Sequence, residues 1–310
     1  KGAKVEDEDP IEHLFVASTH AYLLFFTNKG KVYWQKVYDL PQLSRESKGR
    51  AIVNLLQFSE GEQIADCRAI RDFQPGHFLI MATRRGLGKK TDLVKYSRPK
   101  RGGIIAIKLK EDDELVDVTV VQPGDEVLLA TEQGMAIRFS EADARSVGRN
   151  SSGVKGIKLS KGDALVGMVA VDPEATLLTV CENGYGKRTL FGHSTVAEDE
   201  SGEEVGGTGD TPVSDEPGGT GVPPVSDSSS SLQSTASSLD DEESSSTQRY
   251  RTQRRGGRGG RAIKTTQRNG RVIGIARVDD ADELLMMTAR GKIQRIRASD
   301  INVIGRNTQG

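Results

Sequence analysis

Lysine and arginine recur at matching places along this chain, and their spacing suggests electrostatic chemistry. Five apolar runs end in a polar turn with a glycine, and basic residues follow each turn. They are Lys31 and Lys36, Lys89 and Lys90, Arg138, Lys187 and Arg188, and Lys292 with Arg295. The next loop is basic too, with Arg45 and Arg50, Arg98 and Arg101, Arg145 and Arg149, Arg254 and Arg258, and Arg306. If each set takes one position in a repeated unit, the cations form a track along one rim. Such a track suits a polyphosphate, because each neutralised phosphate releases counterions. No residue set resembles base readout, so binding is expected to be largely independent of sequence. The densest cluster is Tyr250 to Arg261, with Arg251, Arg254, Arg255, Arg258 and Arg261 interleaved with glycines. Glycine lets backbone approach a phosphate, and arginine donates paired hydrogen bonds to it.

Bond-making chemistry has no comparable support. Arg85 to Thr91 faintly resembles a phosphate loop, but Thr83 stands where its first glycine belongs and Lys90 where Ser or Thr belongs. His13, His20, His77 and His193 lack ligand spacing with one another or with Cys67 and Cys181. Asp112-Asp113 sits in a polar turn. No catalytic or metal residues are assigned.

The positioning elements follow from composition and repetition. The chain carries 43 basic and 44 acidic residues, a net charge of -1. That balance conceals an uneven distribution. Residues 196–247 hold 13 acidic residues, 13 Ser and no Lys or Arg, leaving a basic remainder of about +12. This stretch repeats GGTGDTPVSDEP as GGTGVPPVSD and has too few apolar residues to fold, so it is expected to be a disordered insertion. It would act as a competitor for the basic surface or as an inert spacer. The expected organisation is therefore 1–195, an insertion at 196–247, and 248–310. Two cysteines in apolar runs argue against a disulfide scaffold, and no apolar run approaches a membrane span. Without an initial Met or an apolar leader, the chain reads as an internal piece of a cytosolic protein.

The turn glycines are Gly30, Gly86, Gly134, Gly184 and Gly291, about 50 residues apart once the insertion is left out. A second element precedes each copy: IEHL from Ile11, IADC from Ile64, LVDV from Leu115, LVGM from Leu165 and VIGI from Val272. A third lies between copies: RAIVNL from Arg50, GIIAIKL from Gly103, GVKGIKL from Gly153 and GRAIKT from Gly260. Four short strands per unit predict an all-β radial repeat with four complete and two partial blades, incomplete at both ends.

Several runs then carry a family resemblance: GRAIVNLL from Gly49, VGRNSSGVKGIKL from Val147, NGYGKRT from Asn183 and IGRNTQG from Ile304. They resemble the C-terminal domain of DNA gyrase A, of the type IIA topoisomerases. Gln253, Arg254, Arg255, Gly256, Gly257, Arg258 and Gly259 are similar to that family's Gln-Arg-Arg-Gly-Gly-Lys-Gly box, with Arg258 in place of Lys. The resemblance implies a propeller-like β-pinwheel that wraps double-stranded DNA around a basic perimeter. It also implies a parent isomerase in a bacterial cytoplasm, associated with the nucleoid. The parent would pair with two gyrase B chains, which use ATP and Mg2+, and with a second gyrase A chain. The box normally belongs to the first blade, whereas here it occupies a later one. Arg249-Tyr250 matches the family's cleavage dipeptide, but it lies beside the insertion and not in a cleavage domain. Competing readings are the matching domain of topoisomerase IV and a protein-binding propeller scaffold.

Overall fold

The computed structural model describes residues 17–42, 51–193, 249–287 and 293–310. The expectations on IEHL, Arg45, Arg50, the 196–247 insertion, Gly291 and Lys292 lie outside the described residues. The strands run β1 (Tyr22–Thr27), β2 (Lys31–Lys36), β3 (Ile64–Ile70), β4 (Phe78–Thr83), β5 (Leu87–Asp92) and β6 (Ile104–Ile105). Next come β7 (Leu115–Val121), β8 (Glu126–Thr131), β9 (Met135–Ser140), β10 (Val154–Lys155), β11 (Leu165–Ala170) and β12 (Thr176–Cys181). The last are β13 (Gly186–Leu190), β14 (Gly260–Arg261), β15 (Val272–Val278), β16 (Glu283–Met287) and β17 (Ile293–Arg297). The only helices among the described residues are short 3-10 turns.

Each apolar run and its basic successor form an antiparallel hairpin, and the turn is sealed by its own residues. In the first three hairpins the turn glycine donates its N–H to a threonine carbonyl three residues back, at 2.8–2.9 Å. Those threonines, Thr27, Thr83 and Thr131, are buried, and each hydroxyl accepts the N–H of the residue after the glycine. The glycines have φ near +75 to +80°, the left-handed conformation that closes such a bulged turn.

The sheets are completed by strands from further along the chain, in an order that local repetition does not reveal. β3 pairs with β1, β7 with β4, β11 with β8 and β15 with β12, so each second element joins the hairpin before it rather than the one it precedes. The two-residue strands reach back further: β6 seals β2, β10 seals β5 and β14 seals β9, each passing over the intervening hairpin. The described residues therefore form three four-stranded sheets, one of three strands and one of two. A unit of sequence is thus not a unit of sheet. RAIVNL also departs from expectation: Ile52–Asn54 is a 3-10 turn.

This interlock rests on the turn glycines. The carbonyl of Gly30 accepts the N–H groups of Ala106 and Ile107; Gly86 receives Gly156 and Ile157; Gly134 receives Ala262 and Ile263. A Cβ on Gly134 would collide with the Ile263 carbonyl, whereas one on Gly184 would meet nothing within 4 Å.

Apolar cores fill the spaces between neighbouring sheets. Leu79 and Met81 pack with Leu24 and Phe26 on one side of the second sheet, while Ile80 and Ala82 pack with Leu129 and Phe139 on the other. Burial on both faces explains why the hairpin strands read as unbroken apolar runs rather than alternating ones.

The strands β3, β7, β11 and β15 contact one another in succession, placing them on the inner side of the sheets. Carboxylates link them here: Asp66 accepts the Val118 N–H at 3.0 Å, and Asp117 accepts the Met168 N–H at 2.9 Å. Arg68 bridges both, at 2.7 and 3.2 Å. Burial, and then the neighbouring Asp66 carboxylate, push Asp117 up to about 7.

These contacts can be tested by unfolding. Gly134→Ala should lower stability well beyond Gly184→Ala in denaturant titrations. Both substitutions share a φ of +81°, costing about 1–2 kcal/mol, but only the first breaks the interlock. Asp117 binds its proton more tightly folded than unfolded, so its contribution to stability is present at low pH and lost as pH rises from about 4 through 7. Asp117→Asn should flatten that decline in unfolding curves; an unaltered pH profile would refute the assignment.

Candidate nucleic-acid interface

The residues after the turn glycines divide by register. Gly+3 carries Tyr33, Lys89, Ile137 and Lys187; Gly+4 carries Trp34, Lys90, Arg138 and Arg188. All eight are buried, which corrects the expectation that Lys89, Lys90, Arg138, Lys187 and Arg188 belong to a solvent-facing track. The physical reason is that strands packed on both faces have no free side for a cation.

These cations tie neighbouring sheets together. Arg138, 1% exposed, donates to Glu126 and to the carbonyls of Phe191, Gly192 and Tyr250 at 2.8–3.1 Å. Lys90 pairs with Glu141 and lies 4.2 Å from the centre of the Phe78 ring. Arg188 pairs with Asp280 and donates to the Ile301 carbonyl at 2.9 Å. Trp34 makes the neutral version, its indole N–H donating to the Tyr96 carbonyl at 2.8 Å. Lys89 donates to the carbonyls of Ala106 and Arg149, and Lys187 to those of Gly305 and Arg306. Burial, followed by repulsion from Arg149, lowers Lys89 to about 7; burial and Arg306 lower Lys187 to about 8.

The loops before the outer strands are arranged differently. Residues 98–103, 148–153 and 254–259 lead into β6, β10 and β14, and residues 305–310 repeat the Gly-Arg-Asn start of 148–153 at the fourth sheet. They lie at the outer edges of successive sheets, opposite the inner strands. Arg98, Arg101, Arg145, Arg251, Arg258 and Arg261 are exposed and Arg149 is half-buried; none has a carboxylate partner among the described residues. Arg254 is exposed as well. Arg306 is half-buried, its guanidinium 5.7 Å from the centre of the Tyr250 ring. Other expected contacts are engaged locally. Lys31 donates to Ser59 at 3.0 Å, Lys36 to the Tyr38 hydroxyl at 2.7 Å, and Arg295 pairs with Glu283.

The box-like segment is an ordered loop. Arg255 donates to the carbonyls of Asp143 at 2.8 Å and Lys155 at 3.1 Å, making it a strut between loops. The Gln253 N–H bonds the Arg138 carbonyl, and the Gly256 N–H bonds the Gly156 carbonyl. A Cβ on Gly259 would strike the Ala136 carbonyl, so this glycine serves close approach to the protein's own backbone. Arg254 and Arg258 project from that frame.

A further set of cations went unread in the sequence. Lys108, Lys158 and Lys264 follow the outer strands and are exposed. Their backbone N–H groups donate to the carbonyls of Ser151, Gly257 and Thr308, at 3.1, 2.7 and 2.8 Å. Each lysine is thus fixed at a seam beside the next loop. The recurring Ile-Lys after the outer strand was their signal.

Comparison with known proteins fits this geometry. The family model described as "DNA gyrase C-terminal domain, beta-propeller" matches residues 21–71, 77–122, 125–172, 246–279 and 282–310. The DNA gyrase A chain of Salmonella typhimurium is 37% identical over 99% of this chain, which spans 29% of that relative's length. A solved DNA gyrase A C-terminal domain has a TM-score of 0.68 at 22% identity, covering 100% of this chain and 85% of its own. The C-terminal domain of a DNA topoisomerase IV has a TM-score of 0.69 at 24% identity, covering 94% of this chain and 74% of its own. At these identities the two solved structures establish likeness of fold.

The division between buried and projecting cations is testable in stability alone. Arg138→Met removes one member of a buried pair and should cost about 3–5 kcal/mol in denaturant unfolding. Arg101→Ala and Arg258→Ala should remain within about 0.5 kcal/mol of the parent.

Proposed function

The chain belongs to the family of DNA gyrase A C-terminal domains, and from that premise we propose that it binds duplex DNA on its outer rim and wraps it chirally. The observation that carries this reading is the row of projecting arginines on the edge loops, continued by Lys108, Lys158 and Lys264 at the seams. Rigid cations on a curved edge contact successive phosphates only if the duplex bends to follow them. Smooth bending of a 20–30 bp site by 40–90° costs of order 1–6 kcal/mol, which several phosphate contacts offset. The box-like loop belongs to this surface through Arg254 and Arg258, with Arg255 holding its shape.

The parent protein is an ATP-dependent type II topoisomerase, an isomerase in which this wrap supports negative supercoiling. Its partners are two gyrase B chains and a second gyrase A chain, in the bacterial cytoplasm. ATP and Mg2+ chemistry is assigned to the B chains. No group of three or more His, Cys, Asp or Glu among the described residues could hold a metal ion, and no chemical step is assigned to this chain.

The decisive experiment ligates a nicked circular plasmid with increasing amounts of the protein and reads the linking-number shift. A stoichiometric positive shift is expected. Tight duplex binding with no shift would overturn wrapping and leave binding, whereas the absence of duplex binding would overturn both. Arg101→Ala, Lys158→Ala and Arg258→Ala should each reduce the slope of log K against log salt by about 0.9.

A further inference from the structure

The four edge loops fall into two classes, set by the Gly+3 residue beneath each. Loops 148–153 and 305–310 begin Gly-Arg-Asn and lie over Lys89 and Lys187. Loop 98–103 places Gly103 against the Tyr33 ring, and loop 254–259 places Gly257 and Gly259 over Ile137. An ammonium thus lies under Gly-Arg-Asn, while an aromatic or aliphatic side chain lies under the glycine-rich loops.

This correspondence has a geometric consequence. Lys89 bonds the Arg149 carbonyl and, at 2.6 Å, that of Ala106. Lys187 bonds the Arg306 carbonyl, the Gly305 carbonyl at 2.6 Å and the Thr308 hydroxyl at 2.9 Å. In a planar trans peptide, a carbonyl drawn toward the interior turns the following N–H the opposite way. The N–H groups of Asn150 and Asn307 therefore face away from the lysines, and neither bonds another described residue. An outward N–H beside an arginine gives a phosphate a backbone donor and a charged one within reach of each other.

We propose that Lys89 and Lys187 are positioning residues that hold these two loops as phosphate cradles, and that seating a DNA phosphate on either cradle is linked to the proton on its lysine. The proposal rests on the DNA-binding reading and specifies where the phosphates sit. The groups facing Lys89 are Arg149, Lys95 and the Tyr96 hydroxyl, which donates to the same Ala106 carbonyl at 3.1 Å. Those facing Lys187 are Arg306 and the Cys181 thiol, with Tyr250 and Arg251 acting on Arg306. In each case the largest nearby charge is the loop's own arginine, which repels the ammonium. A phosphate on that arginine cancels the repulsion and favours the protonated lysine. A deprotonated lysine keeps two N–H donors but loses the charge that strengthens their bonds, so it holds the inward carbonyls less firmly. Lowered to about 7 and about 8, both lysines change charge near neutrality, so DNA binding takes up protons and weakens as pH rises.

The test measures affinity of the full chain for a duplex, and its salt slope, from pH 6.5 to 9. The parent, the Lys89→Ile/Lys187→Ile double variant and Arg101→Ala/Arg258→Ala are compared. Isoleucine is the residue that the third sheet carries at this position, which favours folding; Lys187→Arg provides a permanently charged rescue. The parent should lose roughly tenfold in affinity across the range, with its salt slope falling by up to about 2. The isoleucine variant should bind weakly with a flat pH profile. Lys187→Arg should bind well with a reduced pH dependence, and the arginine variant should keep the parent's profile at lower affinity. A parent profile flat in pH, or one kept by the isoleucine variant, would overturn the proposal while leaving DNA binding intact. No duplex binding by the parent at pH 6.5 would overturn both.

Discussion

The fold depends on a backbone carbonyl shared between distant parts of the chain. In three sheets the turn glycine offers its oxygen to two consecutive N–H groups from residues 76, 70 and 128 positions further on, counted to Ala106, Gly156 and Ala262. Three features coincide there: a left-handed backbone, the absence of a Cβ, and an isoleucine lying against the turn. The contact fixes the position of the outer strand. That strand in turn fixes the loop before it, and the loop carries the projecting arginines. The cations of the rim are thus placed by hydrogen bonds made at glycines that carry no charge.

A second tier of order comes from cations turned inward. Arg138, Lys90 and Arg188 anchor one hairpin to the segment following the next, each with a carboxylate and at least one carbonyl. The Arg138 and Lys90 pairs are buried and costly to desolvate, and their geometry restricts how the partners can meet, whereas Asp280 reaches Arg188 from the surface. Here that geometry binds neighbouring sheets in one relative placement, so apolar packing between two aliphatic faces is not the sole determinant of angle. Trp34 occupies the same position in the first sheet with a neutral indole donor. The position therefore requires a long donor more than a charge.

Local rules made the hairpins legible. Glycines such as Gly86 and the threonines three residues before them form a turn within a few residues of chain, and the sequence carries all of its parts. The repeat and the all-β architecture followed. Pairing of the outer strands did not, because Ile104–Ile105 passes over a nearer hairpin to seal β2, and nothing within two residues encodes that choice. The rim was legible at loop residues such as Arg101 and Arg258, but charge alone could not separate them from Arg138. That distinction depends on Glu126, twelve positions earlier and across the hairpin. Lys108, Lys158 and Lys264 escaped notice because their role arises at a seam between sheets, where two copies of the repeat meet.

The delayed delivery of the outer strands also gives the molecule a timetable. Synthesis must continue for 34 residues after Ile70 before the first sheet can be sealed at Ile104, and for 33 after Val121 before Val154 seals the second. The third sheet waits 90 residues, from Ala170 to Gly260, because its last strand lies beyond residues 196–247. At about 5–20 residues per second, that interval lasts about 5–18 seconds on the ribosome, more than twice the corresponding interval of the other two sheets, and the edge of β9 is bare throughout it. An unpaired edge is a template for wrong partners. The third sheet is therefore the stage of biogenesis most open to mispairing, although the finished fold gives it four strands, as in the first and second sheets.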